Sequence, residues 1–422
     1  MALRELNIII VGAGIAGLGA AVVLCRAGHN VTIVEKSQFK QEAGFMIILG
    51  WNATKVLESM DFDFQKGRGS DSEFIRTFNG TTLSKGAAIN IKTPGHENSQ
   101  CKTFYRPDLH NELKRLALYP RPGAKIPKLL LGKKVVGVDI ETATITLENG
   151  EILSGDLIVG ADGERSIVKA AFGDSNPLRK AKYRIFRSLV PTENILGDEK
   201  TAELLGATRG NFCMFLQGNR TMFWFEGRNG LLQDLEAGYV PGEADGPLET
   251  HPKKAKQKML EKFADYHPSI VESLRKTEHV SEWEVNYFSR PHHYLFKGKA
   301  LVIGDAAHSM FPTTGQGGSQ TFEDIGALSV LFSSVSPQTS IEQRLKLFEK
   351  VRMERIALVM SMSRCIFGKE EEFVRSRPWL WGNGMESGEK HTRFLFDYDV
   401  LEDSRRAFED EIRGMEGVKA RL

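Results

Sequence analysis

Two glycine-rich turns, far apart in the chain, carry the residues best suited to chemistry. The first is GAGIAG, which sets Gly12, Gly14 and Gly17 at the spacing GxGxxG between the apolar NIIIV and a helical pattern that begins at Ile15 and Ala16. Gly12 permits a tight strand-to-helix turn, Gly14 lets backbone approach a pyrophosphate, and Gly17 brings the helix against the strand. The helix start then offers unpaired N–H groups and a positive dipole end to phosphates. Beyond it the strand-like NVTIVE ends in Glu35, followed by Lys36, and both join the candidate cofactor-binding residues. A carboxylate there accepts from a ribose 2′-OH and repels a 2′-phosphate, so the tightly held dinucleotide is expected to be FAD or NAD and not NADP.

The second turn lies in LVIGDAAHSMFPTTGQGGSQTFED, residues 301–324. An apolar strand runs into Gly304-Asp305, and a helix follows from near Gly317 and Gly318. NAD would need no distant second loop of this type, whereas FAD carries a ribityl chain and a flavin ring well away from its adenosine. Asp305 can accept from ribityl hydroxyls, and the helix start directs N–H groups at a ring that is anionic when reduced. A helix end contributes about 0.3 to 1 kcal/mol to a nearby charge, up to roughly 2 when partly buried. Since a pKa unit corresponds to about 1.4 kcal/mol, the flavin's charge balance would move by up to about one unit. Tightly bound, non-covalent FAD is therefore the expected cofactor.

The elements that must position these turns can be read around them. At 422 residues the chain exceeds the length at which one core keeps growing, so two lobes are expected. The opening alternates strand, helix and strand, which demands a parallel sheet. A hairpin, VVGVDI with ATITLENGEILSG, turns at Asn149-Gly150 and leads into DLIVGADG, which should rejoin that sheet. From Phe172 to Asn286 amphipathic strands take over, among them KYRIFRSLVP and NFCMFLQGNRTMFWFEG with a Gly218-Asn219 turn signal. A charged helical stretch, KKAKQKMLEKFADYHPSIVESLRK, should cover this lobe. The fold class read from this pattern is α/β: a Rossmann-type FAD-binding domain, a second, mainly antiparallel β-sheet substrate domain, and C-terminal helices. The expected boundaries are 1–171 and 287–365 for the FAD-binding domain, 172–286 for the substrate domain and 366–422 for a C-terminal helical tail containing RPWLWGNGM.

Composition narrows the partners. Lys and Arg total 56 against 54 Asp and Glu, a net charge of +2 that lacks the electrostatic footprint of a nucleic-acid binder. Cys25, Cys101, Cys213 and Cys365 are scattered, so neither a zinc site nor a disulfide framework is expected, and no metal. His308 has no second ligand at metal spacing and reads as a structural imidazole. The uncharged run from Asn7 to Cys25 has the length of a membrane span, but its four glycines sit where strand gives way to helix, so no firm span is expected. A cytoplasmic location follows as an expectation.

Four segments, GAGIAGLGAAVVLCRAGHNVTIVEK, YRPDLHNEL, LIVGADGERSIV and GDAAHSMFPTTGQGGSQTFED, occur in an order that resembles group A FAD monooxygenases, most of all their salicylate-hydroxylase-like branch. The resemblance spans about Asn7 to Arg364. It implies that Arg106 contacts the flavin cofactor, that Asp162 with Gly163 lies by the pyrophosphate, and that Pro312, Gly315 and Gly317, in the family's Pro-x-x-Gly-Gln-Gly run, are cofactor-binding. Read by themselves, Arg106 could instead pair with an acid and Asp162 could only shape a turn. Relatives commonly have a different sequence at GFMIILGWNA; Gly44 is kept, while Phe45, Met46, Gly50 and Trp51 depart, and Gly44 and Met46 stay among the cofactor candidates.

The resemblance further implies a cycle in which NAD(P)H, a transient co-substrate, reduces FAD, O₂ adds to give a flavin hydroperoxide, and one oxygen atom passes to an aromatic small molecule, phenolic or carboxylated. Epoxidation of an indole or alkene natural-product intermediate, and a flavin oxidase or dehydrogenase without oxygen insertion, are the alternatives. In YRIFRSLVP, alternation puts Arg187 on one face with Tyr183, Ile185 and Leu189. Arg187 either orients the substrate, as the resemblance implies, or forms an internal ion pair with a lobe carboxylate. Trp224 shares a face with Met222 and Glu226 and is a candidate substrate wall, with core packing as its other reading.

Overall fold

The computed structural model describes residues 4–39, 44–92, 100–173, 176–288, 292, 295–333, 340–364, 375 and 388–419. Asn7–Val11, apolar and buried, is a central strand, pairing in parallel with Asn30–Glu35 on one side and Leu157–Gly160 on the other. The full order across this six-stranded sheet is Phe296–Lys297, Ala300–Val302, Leu157–Gly160, Asn7–Val11, Asn30–Glu35 and Lys128–Leu131. Every neighbour is parallel except the outermost pair, Phe296–Lys297 with Ala300–Val302. Continuous apolar runs suit a parallel sheet covered on both faces. The helix Ile15–Arg26 has eleven of its twelve residues buried, because it packs against both Gln316–Leu331 and Arg106–Leu118. Its apolar character comes from that burial, and among the described residues no helix is long and apolar enough to cross a membrane.

The second sheet has seven strands in the order Val280–Phe288, Leu178–Pro191, Leu232–Tyr239, Arg220–Gly227, Asn211–Gln217, Phe74–Asn79 and Lys85–Asn90. It is mainly antiparallel; Phe74–Asn79 with Asn211–Gln217 is the parallel exception. This corrects the expected boundary, since two strands from within residues 1–171 belong to the second sheet. Phe74–Asn79 joins that sheet through a partner more than a hundred residues downstream, a pairing that nothing in the local pattern announces. The helices Pro252–Lys262 and Pro268–Arg275 cover one face of the sheet, enclosing Phe186, Met222, Trp224 and Leu235. The opposite face presents Met214, Phe223 and Phe225 to Met46.

Both turn signals hold. Gly150, at φ +85°, turns between Thr144–Leu147 and Ile152–Ser154, and Gly218, at φ +58°, turns between Asn211–Gln217 and Arg220–Gly227. Toward the C-terminus the helices Ile341–Met362 and Val400–Lys419 pack on Gln316–Leu331, and Gly388–Phe396 is helical as well. RPWLWGNGM and Cys365 lie outside the described residues.

Candidate active site

A cleft of about 550 Å³ opens at the C-terminal ends of the parallel strands, where open α/β sheets place their ligands. Gly12 has φ +100°, and a Cβ there would overlap the Ala161 carbonyl. A Cβ on Gly17 would overlap the Gly12 carbonyl, so this glycine sets the close approach of helix to strand. Gly14 differs: a Cβ there would meet nothing within 4 Å, and its open side belongs to the cleft, which Ile15 and Ala16 also line.

Glu35 is buried at the edge of the cleft. Its Oε2 accepts from Ala13 N at 2.8 Å and its Oε1 from Ser37 N at 2.7 Å, which leaves each oxygen a further lone pair. Lys36, Lys133, Lys134 and Arg165 line the same cleft. Asp162 Oδ2 accepts from Ile167 N at 2.8 Å, while the buried Oδ1 has no hydrogen-bond partner among the described residues. Burial pushes this carboxyl above its ordinary range, against the pull of the hydrogen bonds from Ser166 and Ile167. Asp162 therefore shapes a turn, with Gly163 at φ +80°, and also lines the cleft.

The distant second loop reaches the same cleft on the strand Ala300–Val302. Gly304, at φ +61°, turns the chain so that the exposed Asp305 lines the cleft. Beneath it lies a buried ionic network. Asp324 Oδ2 accepts from Gly304 N at 2.9 Å and from His308 Nε2 at 2.8 Å, and its Oδ1 accepts from Arg352 Nε at 2.8 Å. Glu323 accepts from Asn52 Nδ2 at 2.6 Å, Gln320 Nε2 at 2.8 Å and Arg355 Nη2 at 3.0 Å, and it pairs with Arg352 as well. Burial alone would raise both carboxyls. The opposing charges, Arg355 and Arg352 for Glu323, His308 and Arg352 for Asp324, outweigh it and hold both below their usual range. His308 is thus the structural imidazole that its lack of partners at metal spacing suggested.

The helix Gln316–Leu331 starts at Gly315, φ +63°, with no side-chain cap, so its first N–H groups are left for whatever occupies the cleft. A Cβ on Gly317 would meet nothing within 4 Å, whereas one on Gly318 would lie 2.5 Å from Ile47 Cδ1. Arg106 opens the helix Arg106–Leu118; its backbone N donates to Phe45 O at 2.9 Å, and its side chain borders both the cleft and the cavity beside it.

That cavity, about 300 Å³, shares Ile47, Arg106, Asp305, Gly317 and Gly318 with the cleft. Phe45, Phe212, Phe223 and Phe225 give it apolar walls, and Pro312 and Gly315 border it. Arg187 lines it while its Nε sits 3.1 Å from Glu236 Oε1 and its guanidinium lies 5.2 Å from the Phe45 ring centre and 5.8 Å from that of Trp283. Arg187 thus forms the ion pair with a lobe carboxylate and also lines the cavity. Asp234 stands two residues before Glu236 on the same strand face; its Oδ2 accepts from Met46 N at 2.8 Å and its Oδ1 has no hydrogen-bond partner among the described residues. Burial and then the charge of Glu236 push Asp234 well up; burial also raises Glu236, with Arg187 opposing.

Three expectations drawn from the sequence need correction. Trp224 is no substrate wall: it lies in the core on the helix-covered face, its Nε1 donating to Gln233 Oε1 at 2.8 Å. Strand alternation gives the cavity its neighbours Phe223 and Phe225 instead. Met46 borders the second cavity, and it is Ile47 that reaches the cleft. Gly44 lines neither; a Cβ there would come within 2.5 Å of the Pro107 ring, so the glycine serves close packing. Sequence reading missed Lys133, Lys134, Arg165, Asp234 and Glu236. The two lysines had a signal, since they follow the strand that pairs with Asn30–Glu35.

The FAD binding domain family profile matches residues 136–363, and an FAD dependent oxidoreductase profile matches 7–45. The FAD-dependent monooxygenase cfoG of Aspergillus candidus is 30% identical over 368 residues, covering 85% of this chain and 84% of that protein. Hispidin-3-hydroxylase of Neonothopanus nambi is 29% identical over 424 residues, covering 97% and 98%. Among solved structures, a salicylate hydroxylase substrate complex superposes with a TM-score of 0.73 at 22% identity, covering 96% of this chain and 98% of that one.

Proposed function

We propose that this chain, which belongs to the FAD-dependent monooxygenase family, hydroxylates an aromatic small molecule held in the smaller cavity, with NAD(P)H and O₂ as co-substrates. The observation that carries the reading is the continuity of the two spaces: the residues that border the ring end of the cleft also border an apolar cavity walled by phenylalanines. The name of one relative, hispidin-3-hydroxylase, supports hydroxylation as the reaction.

The residues present fit FAD. Gly14 and Gly317 leave a cradle that any Cβ would fill, and Asp162 Oδ1 is a buried polar atom without a partner among the described residues. In this reading Gly12 to Gly17 hold the pyrophosphate, Glu35 the adenosine ribose, Asp305 the ribityl chain, and the start of Gln316–Leu331 the ring. Bound FAD supplies the electron transfer from a nicotinamide and the activation of O₂. The chain itself positions the aromatic ring between its apolar walls, excludes water there, and offers Arg187 and Glu236 as the polar contacts.

Turnover with isotopically labelled O₂ tests the proposal. A product that gains one labelled oxygen on its ring is the expected result. Consumption of NAD(P)H with no oxygen in any product would instead identify an oxidase or dehydrogenase, and a labelled epoxide would move the reaction to an alkene or indole.

A further inference from the structure

We propose that Glu236 sets the substrate class, accepting a hydrogen bond from a ring hydroxyl, so that the cavity takes neutral phenols or enols in preference to aromatic carboxylates. This rests on the smaller cavity being the substrate site.

Among the described residues, the charged side chains that border the cavity are Arg106, Arg187, Glu236 and Asp305. Arg106 and Asp305 also border the cleft and belong to its cofactor end. The pair left for a substrate is Arg187 with Glu236, and these two are already in contact at 3.1 Å. An arginine meant to capture a carboxylate offers two parallel N–H donors and an uncompensated charge. The charge of Arg187 is compensated by Glu236, whose Oε1 faces its Nε, and two aromatic rings lie within 6 Å of its guanidinium.

A second acid reinforces the asymmetry. Asp234 lies on the same face of the strand Leu232–Tyr239, fully buried, pinned by Met46 N and with Oδ1 lacking a partner among the described residues. Burial raises both acids, Asp234 the further because no described cation lies at contact distance, while Arg187 opposes the rise at Glu236. An entering carboxylate would thus meet a neutralised arginine and a facing carboxylate in an apolar enclosure, where like charges repel strongly. A neutral ring hydroxyl would meet an open acceptor and have its own donor satisfied.

Binding to the FAD-loaded protein, without turnover, tests this. Phenol is compared with para-hydroxybenzoate and catechol with protocatechuate, each pair differing by one carboxylate, using isothermal calorimetry and the perturbation of flavin absorbance. The wild-type protein is expected to bind each neutral member about tenfold or more tightly than its partner, the span of one hydrogen bond to a charged group. Glu236→Gln keeps the shape and frees the Arg187 charge, so the preference should collapse or invert by about tenfold or more. A wild-type protein that binds the carboxylated member as well or better, or that binds no neutral member, overturns the inference with no variant needed. So does a Glu236→Gln variant that keeps the wild-type ratio. Failure of the monooxygenase reading looks different: the binding preference stands, and no labelled oxygen reaches any product.

Discussion

The carboxylate Asp324 is the point where the second loop is tied to the protein interior, and Asp324→Asn should break the tie without changing side-chain volume. Three donors converge on the native group: Gly304 N at 2.9 Å, His308 Nε2 at 2.8 Å and Arg352 Nε at 2.8 Å. An asparagine can turn its one oxygen toward the first two or toward the third, and in either case its NH₂ faces a donor. A hydrogen bond to a charged group contributes about 1.5–3 kcal/mol. Removing one member of a buried pair costs about 3–5 kcal/mol. Glu323 still faces Arg352, so the lower end applies, and a loss of about 3 kcal/mol is expected. That is on the order of a hundredfold in the folding equilibrium. Urea titration of the holoprotein reads the stability, and the flavin-to-protein ratio after gel filtration reads the coupling to the Asp305 loop; both should fall. The pH dependence follows the same chemistry. Asp324 and Glu323 are held below their ordinary range in the folded chain, so their contribution is complete above the unfolded carboxylate pKa of about 4 and is lost as pH falls through the folded values. The wild-type urea midpoint should therefore drop steeply in acid, and the Asp324→Asn midpoint less steeply. A variant within about 1 kcal/mol of wild type that keeps its flavin and its acid slope would refute the reasoning.

Other perturbations separate gripping from folding. Gly14→Ala should leave the urea midpoint of the flavin-free protein nearly unchanged while flavin retention falls, because its Cβ enters only the cleft. Gly17→Ala should lower stability by about 1–3 kcal/mol, the usual cost of overpacking, since its Cβ meets the Gly12 backbone. Asp305→Ala should weaken flavin retention through loss of a ribityl acceptor; an unchanged flavin content in the purified variant would rule that role out. Arg187→Ala should keep flavin but cut substrate-stimulated NAD(P)H consumption, and full activity would remove Arg187 from the site.

The parallel sheet was legible because its strands are locally complete signals: apolar runs bounded by glycine turns, with Glu35 at a fixed distance from Gly17. The same held for the second loop, where Gly304, Asp305 and Gly317 reach the cleft. Alternation in YRIFRSLVP put Arg187 on the cavity face. It failed for Trp224, because period two tells which residues share a face and not which face is covered by helices. Phe74–Asn79 was missed for a different reason: its parallel pairing to Asn211–Gln217 is a long-range contact with no local signature. Asp234 and Glu236 share a strand face in QDLEAG, but an acidic pair spaced in this way ordinarily faces water, and only the packing of Met46 against the strand reveals otherwise.

The sheet order carries a consequence for biosynthesis. The strand Ala300–Val302 docks beside Leu157–Gly160, and Asp305 follows it, so the cleft has only one of its two jaws while the ribosome is still making the second lobe. At about 5–20 residues per second, the delay between the emergence of Gly17 and that of Asp305 is on the order of tens of seconds. Once Leu157–Gly160 is made, its edge waits for Ala300–Val302, and a cofactor that needs both jaws is expected to be captured only after Asp305 has emerged.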